Sequence, residues 1–194
     1  RVGAAMNSMV CAGVVVSAQN IWSREVARWA GAALPLTMSR HSVMTLEAET
    51  PYGHDLPVVK DLVSPGRIYF RSYGGRQVLV SEGNEGADIP EPDIEQADVP
   101  LDKVVHVGEQ LMHRMPAFES AGLAASWTGV YDVTPDWNPV LGPLPGIDGL
   151  HVAFGFSGHG FKLSPALGDA LVDLALLGRT DLPVGFLSPG RFGP

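Results

Sequence analysis

The sequence predicts a mixed α/β protein in which strand–helix segments at both ends of the chain flank an antiparallel β-sheet domain. Three observations support this class. An apolar run followed by a helical segment occurs near each end, two alternating runs flank a Gly-Gly pair in the middle, and an acidic stretch with prolines follows them. We expect residues 1–34 and 126–194 to form the α/β part, and residues 35–125 to form the antiparallel domain.

The first elements are a strand and a helix. Residues 14–18 form a continuous apolar, β-branched run, which is typical of a buried strand in a parallel sheet. Residues 22–31 then read as an amphipathic helix that ends at Gly31. A strand, a tight turn and a helix make up half of a βαβ unit.

The middle of the chain has the alternation of antiparallel strands. Residues 36–49 and 58–62 are predicted strands, and residues 67–72 and 76–81 flank Tyr73-Gly74-Gly75 as a hairpin. Residues 83–100 are acidic and contain prolines, so we expect a loop there. Residues 101–115 form a helix that Pro116 ends, and residues 123–133 form another strand.

The last part of the chain contains the second strand–helix segment. Residues 132–145 are predicted to be turns because of their prolines, and residues 150–156 form an apolar strand. We expect the last helix to have Ser164 as its N-cap and Pro165 at its first helical position, and to end at Gly178.

Composition and net charge exclude several classes of function. The chain of 194 residues has a formal net charge of −8, so no basic surface for nucleic acid is predicted. No apolar run reaches the roughly 18–20 residues that span a bilayer, so no membrane partner is expected. The single cysteine, Cys11, excludes an internal disulfide, and we interpret it as a buried apolar residue. A cytoplasmic protein that acts on small molecules is the resulting expectation.

The segment from Gly155 to Lys162, Gly-Phe-Ser-Gly-His-Gly-Phe-Lys, is the most informative feature. A strand, a glycine-rich turn and a helix N-terminus present backbone N–H groups to an anionic or polarised ligand. Gly155, Gly158 and Gly160 permit close approach, and Lys162 adds positive charge. The segment nearly matches the nucleophile elbow of serine hydrolases, but His159 stands where that motif requires glycine, which disfavours this alternative.

Two other groups of residues are candidates for chemistry. His106, Glu109 and His113 share one helix face, but their spacing is loose for a metal site, so we predict a solvated polar face and no metal. Tyr69 and Arg71 alternate on one predicted strand with Arg67. They form either an exposed strand face or a substrate-facing wall, with arginine placed for a carboxylate.

Several segments together resemble a known family. In chain order they lie at residues 14–24, 129–136, 139–142, 149–153, 155–162 and 186–192. This pattern is similar to the C-terminal part of the FAD-dependent D-amino-acid-oxidase-like family, which includes sarcosine oxidase, glycine oxidase and dimethylglycine dehydrogenase. The resemblance implies the C-terminal part of a two-domain FAD-binding oxidoreductase fold, with residues 35–125 as the substrate domain.

The resemblance also implies roles for individual residues. The flavin would be contacted by residues of the glycine-rich segment, namely Gly155, Ser157, Gly158, Gly160, Phe161 and Lys162. Lys162 and His159 would be the catalytic residues, with Lys162 assisting reaction with oxygen, and Tyr69 and Arg71 would contact the substrate. The implied reaction removes a hydride from the carbon next to an amine, which leaves oxidase and dehydrogenase both open.

The sequence departs from the family in two ways. The Gly-x-Gly-x-x-Gly fingerprint that binds the ADP half of FAD does not occur in these residues. Gly129 stands where some sarcosine oxidases have the cysteine that attaches flavin, so FAD would be bound non-covalently. The alternative is a non-catalytic fragment or subunit that needs a complementary chain with the dinucleotide-binding half, or an oligomer. A degenerate binding module without flavin is a third possibility.

Overall fold

The computed structural model describes residues 11–51, 55–83, 86–90 and 98–193. The chain divides into two compact units. Unit 1 contains the residues up to Leu36 and those from Asp132 onward, and unit 2 is Thr37–Tyr131. The sequence placed the corresponding boundaries near residues 34 and 125.

Unit 1 contains a small sheet and two α-helices. The strands β1 (Val15–Ser17), β8 (Val140–Pro143) and β9 (Leu150–Phe154) have the order β1-β9-β8. β1 runs parallel to β9, in line with the parallel sheet expected for residues 14–18, and β8 runs antiparallel to β9. The helices are α1 (Ser23–Trp29) and α3 (Gly160–Leu177).

Alternation along β9 supplies both apolar clusters of unit 1. Val152 and Phe154 face a cluster that includes Val140 and Leu144. Ala153 points to the opposite face, where it packs with residues of α3 that include Ala170 and Leu171. The sheet is thus apolar on both sides of its central strand, which is the pattern of a strand in an α/β layer.

Three predictions for unit 1 are wrong. β1 is an edge strand, and Val15 and Val16 remain 52% and 48% exposed although they were expected to be buried. Cys11 is also exposed. Residues 140–143 were expected to be turn, but they form β8, because an edge strand tolerates Pro143 without losing a ladder hydrogen bond.

Unit 2 is built on an antiparallel sheet. Its strands are β2 (Thr37–Glu47), β3 (Val59–Lys60), β4 (Tyr69–Ser72), β5 (Gln77–Ser81), β6 (Ala87–Ile89) and β7 (Gly122–Val133). The last two residues of β7 belong to unit 1. The order is β3-β4-β5-β2-β6, and β7 also pairs with β2. The predicted β4–β5 hairpin is confirmed: Tyr73 N–H donates to the Gln77 carbonyl at 2.8 Å, and Gly74 has φ +86°.

The core of unit 2 lies between this sheet and helix α2 (Leu101–Arg114). Val107 and Leu111 of α2 pack against Met44, Val78 and Val80, and all five are fully buried. β6 lies in the stretch predicted to be a loop, where it pairs with β2. Residues 84–85 and 91–97 of that stretch lie outside the described residues. No helix in the described ranges is long and apolar enough to cross a membrane.

Candidate functional site

The turn between β9 and α3 has a conformation that glycine makes possible. Gly155 has φ +66° and Gly158 has φ +80°, and Ser157 between them has φ +49°. A Cβ on Gly155 would lie 2.2 Å from Cγ2 of Thr134, and one on Gly160 would lie 3.1 Å from Cβ of Phe156. The glycines therefore allow both the left-handed backbone and the close packing of this turn.

Helix α3 begins earlier than predicted. It starts at Gly160, so the prediction of Ser164 as N-cap and Pro165 as first helical residue is wrong. Pro165 lacks the N–H that would reach the Phe161 carbonyl, and the Ser164 hydroxyl donates to that carbonyl instead, at 3.0 Å. This substitution of donors allows the helix to continue through a proline. Its other end is as predicted, with Gly178 at φ +70°.

The start of α3 presents donors and positive charge to its surroundings. His159 is the N-cap residue but makes no side-chain cap hydrogen bond. The first N–H groups of a helix have no partner within the helix and carry its positive partial charge. His159 and Lys162 are exposed, and Phe161 is 98% exposed. This surface offers N–H groups, an ammonium group and an aromatic ring.

Ser157 has a different position from its neighbours. It is 2% exposed, and its hydroxyl donates to the Gly155 carbonyl at 3.1 Å. The side chain is therefore used inside the turn, where an attacking nucleophile would be shielded. Of the predicted cofactor residues, Gly155 is also buried, whereas Gly158, Phe161 and Lys162 are exposed.

The predicted substrate residues lie in unit 2. Tyr69 is half-buried on β4, and Arg71 is exposed, donates to the Ser72 carbonyl at 2.9 Å and lies over the Tyr73 ring. Arg67 has φ +45° and precedes β4, so it does not continue the alternating face with them. The structure thus keeps Tyr69 and Arg71 on one strand, in a unit separate from the glycine-rich turn.

Two residues that were not predicted as site residues, His41 and Tyr131, form a cluster with Tyr69. The His41 ring stacks on Tyr131 with centroids 4.1 Å apart. The pKa of Tyr131 is raised to about 12, mainly by burial and secondly by the neighbouring Tyr69. The two tyrosines share a side-chain hydrogen bond. The pKa of His41 is lowered, mainly by burial and secondly by the positive charge of Lys103. Tyr131 lies within the segment 129–136 that carried the resemblance, so its position was a usable signal.

The face of β2 on which His41 lies contains two buried polar atoms that lack a hydrogen-bond partner within the described part of the chain. Among the described residues, Nε2 of His41 and Oγ of Ser39 are buried without a hydrogen-bond partner. They are two residues apart on β2, and thus on one face of the sheet. Buried polar atoms are nearly always paired in folded proteins, so these two indicate a place for a further polar group.

His106, Glu109 and His113 line an open cleft in unit 2, together with Asp61 and Arg114. Asp61 is held by Arg114, whose Nε lies 2.7 Å from Oδ2 of Asp61. Within the described ranges, no three His, Cys, Asp or Glu residues come together as a metal-binding group.

Comparison with known proteins gives consistent matches. A family model described as FAD dependent oxidoreductase matches residues 2–174. The chain is 35% identical over 180 residues to FAD-dependent oxidoreductase domain-containing protein 1 of Xenopus laevis, covering 85% of this chain and 35% of that protein. It is 37% identical over 98 residues to the monomeric sarcosine oxidase of Streptomyces avermitilis, covering 47% and 25%. The chain spans about a third of the length of the relatives that it matches over most of its own length.

Solved structures share this architecture. L-Proline dehydrogenase from P. horikoshii matches with a TM-score of 0.81 at 27% identity, over 93% of this chain and 47% of that chain. Glycine oxidase from Geobacillus kaustophilus matches with a TM-score of 0.74 at 25% identity, over 92% and 45%.

Proposed function

Since the chain belongs to the family of FAD dependent oxidoreductases, we propose that it provides the flavin-contacting turn and part of the substrate wall of an enzyme that oxidises the C–N bond of a small amine or amino acid. The membership confirms the resemblance and the mixed α/β class that the sequence predicted. The observation that carries the proposal is the start of α3, where a helix N-terminus without a side-chain cap hydrogen bond follows a turn in which Gly155 and Gly158 have positive φ, and lies beside an exposed lysine.

The residues of unit 1 fit a flavin. Exposed Gly158 and half-buried Gly160 would let a flat ring approach the backbone, and the N–H groups at the start of α3 would donate to its polar edge. Phe161 would contribute apolar contact. Ser157 would support the turn from inside, because its hydroxyl is turned inward and its N–H donates to the Asp132 carbonyl. No cysteine is present at Gly129, so the proposed binding is non-covalent.

When bound, FAD supplies the hydride acceptor for the carbon next to the amine. Lys162 would stabilise negative charge in the site. During substrate oxidation that charge would be on a substrate carboxylate, and where oxygen is the acceptor it would be on reduced oxygen. A fixed ammonium group in a site shielded from water stabilises such charge more than it does in bulk solvent. His159, next to it on the turn, would bound the same space.

Unit 2 would provide the substrate wall. The guanidinium group of Arg71 suits a carboxylate, and the hydroxyl groups of Tyr69 and Tyr131 suit an amine or a carboxylate. With its pKa raised to about 12, Tyr131 stays protonated at neutral pH and would donate a hydrogen bond. Sarcosine, glycine, dimethylglycine and proline are the first substrates to test. A cytoplasmic location stays a prediction.

A second candidate function is a non-catalytic subunit that works beside a complementary chain with the dinucleotide-binding half. It is favoured by the edge strand β1, whose Val15 and Val16 are about half exposed although parallel sheets are usually covered on both faces. A purified chain that oligomerises through this surface would support it, and a monomer with one cooperative unfolding transition would speak against it.

The experiment that tests the first proposal is a visible absorption spectrum of the purified protein before and after FAD is added and the mixture desalted. A retained flavin band supports the proposal. A colourless protein contradicts flavin binding by this chain alone and leaves the subunit that needs a complementary chain and the degenerate binding module as the alternatives. Reduction of the bound flavin by each candidate amine is then followed without oxygen, and its reoxidation is followed with oxygen or an artificial acceptor.

Lys162→Met should slow at least one of these two half-reactions about tenfold or more, because a stabilising charge near the reacting atoms is lost. Lys60→Met is the matched control, since Lys60 is exposed on β3 in unit 2. Wild-type rates for Lys162→Met in both half-reactions would remove Lys162 from the proposed site.

A further inference from the structure

Asp132 is a buried carboxylate beneath the glycine-rich turn. It lies near the end of β7 and is 3% exposed. Its Oδ2 accepts a hydrogen bond from the Gly155 N–H at 2.5 Å, and the Phe156 N–H donates to the same carboxylate. A side chain of β7 therefore binds the first two backbone N–H groups of the turn.

Further hydrogen bonds join the same two stretches. The Ser157 N–H donates to the Asp132 carbonyl at 3.0 Å, and the Thr134 N–H donates to the Ser157 hydroxyl at 3.4 Å. The turn is thus bound to β7 at three consecutive residues, and Asp132 takes part through both its side chain and its backbone. All of these groups belong to unit 1.

The carboxylate is not needed for the strand itself. β7 pairs with β2 through its backbone, so an apolar side chain at position 132 would also suit a buried strand end. Burial raises the pKa of Asp132, while the N–H groups of Gly155, Asp132 and Phe156 act in the opposite direction. A buried charge held by backbone donors is costly, and such groups are concentrated at functional sites.

We propose that Asp132 is a positioning residue for the cofactor contact: its carboxylate holds the turn, in which Gly155, Ser157 and Gly158 have positive φ, in the conformation from which the start of α3 would face the flavin. This inference rests on the proposed function. The carboxylate would act through the Gly155 and Phe156 N–H groups and would not touch the flavin itself.

The first test needs no cofactor. Hydrogen–deuterium exchange is measured by mass spectrometry on peptides covering residues 150–160 of the purified protein. Exchange at the turn should be about tenfold faster in Asp132→Ala, because the Gly155 and Phe156 N–H groups both lose their acceptor. Asp132→Asn keeps an acceptor oxygen and should stay near wild type. Unchanged exchange in Asp132→Ala would overturn the positioning role.

The second test measures the affinity for FAD and the absorption spectrum of the bound flavin. Asp132→Ala should bind FAD at least tenfold more weakly and shift the flavin absorption band, because the turn no longer holds its N–H groups in place. Asp132→Asn, which keeps an acceptor oxygen, should stay near wild type in both, as should Asp169→Asn, the same change at an exposed position of α3. A folded Asp132→Ala protein with wild-type affinity and spectrum would overturn the inference.

The two proposals fail in different ways. If the wild-type protein binds no flavin, the proposed function fails and takes the cofactor role of Asp132 with it, while the exchange data still decide whether Asp132 holds the turn. If wild type and Asp132→Ala bind flavin equally well, the inference about Asp132 fails alone and the proposed function stands.

Discussion

Gly155→Ala tests whether the turn requires glycine for its backbone and for its packing. The added Cβ would lie 2.2 Å from Cγ2 of Thr134 and 3.2 Å from Cδ2 of Leu36. An L-residue held at φ +66° costs about 1–2 kcal/mol, and overpacking a close-packed site costs about 1–3 kcal/mol. We therefore expect the free energy of unfolding to fall by about 2–5 kcal/mol.

The control is Gly178→Ala at the end of α3. Gly178 has φ +70°, but a Cβ there meets no atom within 4 Å. Only the backbone cost applies, about 1–2 kcal/mol. The difference between the two variants isolates the packing cost. Thr134→Ser in the Gly155→Ala background removes the clashing methyl group and keeps the hydroxyl that donates to the Asn138 carbonyl at 2.8 Å, so about 1–3 kcal/mol should return.

The assay is equilibrium urea unfolding followed by circular dichroism, with the midpoints of the three variants compared at an unchanged m value. A Gly155→Ala protein that loses no more stability than Gly178→Ala would show that close packing against Thr134 does not matter here. Failure of Thr134→Ser to return any of the loss would show the same.

The remaining predictions concern stability. Arg191→Ala should destabilise unit 1, since the Arg191 guanidinium group contacts both carboxylate oxygens of Asp136, at 2.9 and 3.1 Å. The ion pair lowers the pKa of Asp136. Its contribution to the free energy of unfolding is therefore present above the unfolded-state pKa of about 3.9 and is lost as the pH falls below that value. Thermal melts of wild type and Arg191→Ala should differ less at pH 2.5 than at pH 6, and an equal difference would contradict the pairing. Phe118→Ala should lower the free energy of unfolding in urea by about 3–5 kcal/mol, because Phe118 is fully buried. Phe161→Ala should change it by no more than about 0.5 kcal/mol while weakening FAD binding. A comparable loss of stability for both variants would show that Phe161 packs in a core.

Local patterns predicted the elements whose signal lies within a few neighbouring residues. The hairpin at Gly74, the helix end at Gly178 and the helix that stops before Pro116 all follow from backbone restrictions of glycine and proline. The strand β9 followed by a glycine-rich turn was likewise visible, because an apolar run bounded by glycines has few other solutions.

The burial and pairing of individual strands could not be predicted in the same way. The valines of β1 have the composition of a core strand, yet β1 lies at the edge of its sheet and exposes them. β8 was hidden by its prolines, and β6 by its acidic surroundings. β1 and β6 pair with strands that are distant in sequence, so local composition contains no information about which edge is covered.

The sequence by itself determined the family, the mixed α/β class and the glycine-rich turn, because these depend on residue types at fixed short spacings. Only the tertiary structure decided that the Ser157 hydroxyl is turned inward, that His41 stacks on Tyr131, and that Asp132 binds the Gly155 N–H from 23 residues away. The physical reason is that hydrogen bonds and ring contacts act over a few ångströms in space, and the fold alone sets which distant residues come within that range.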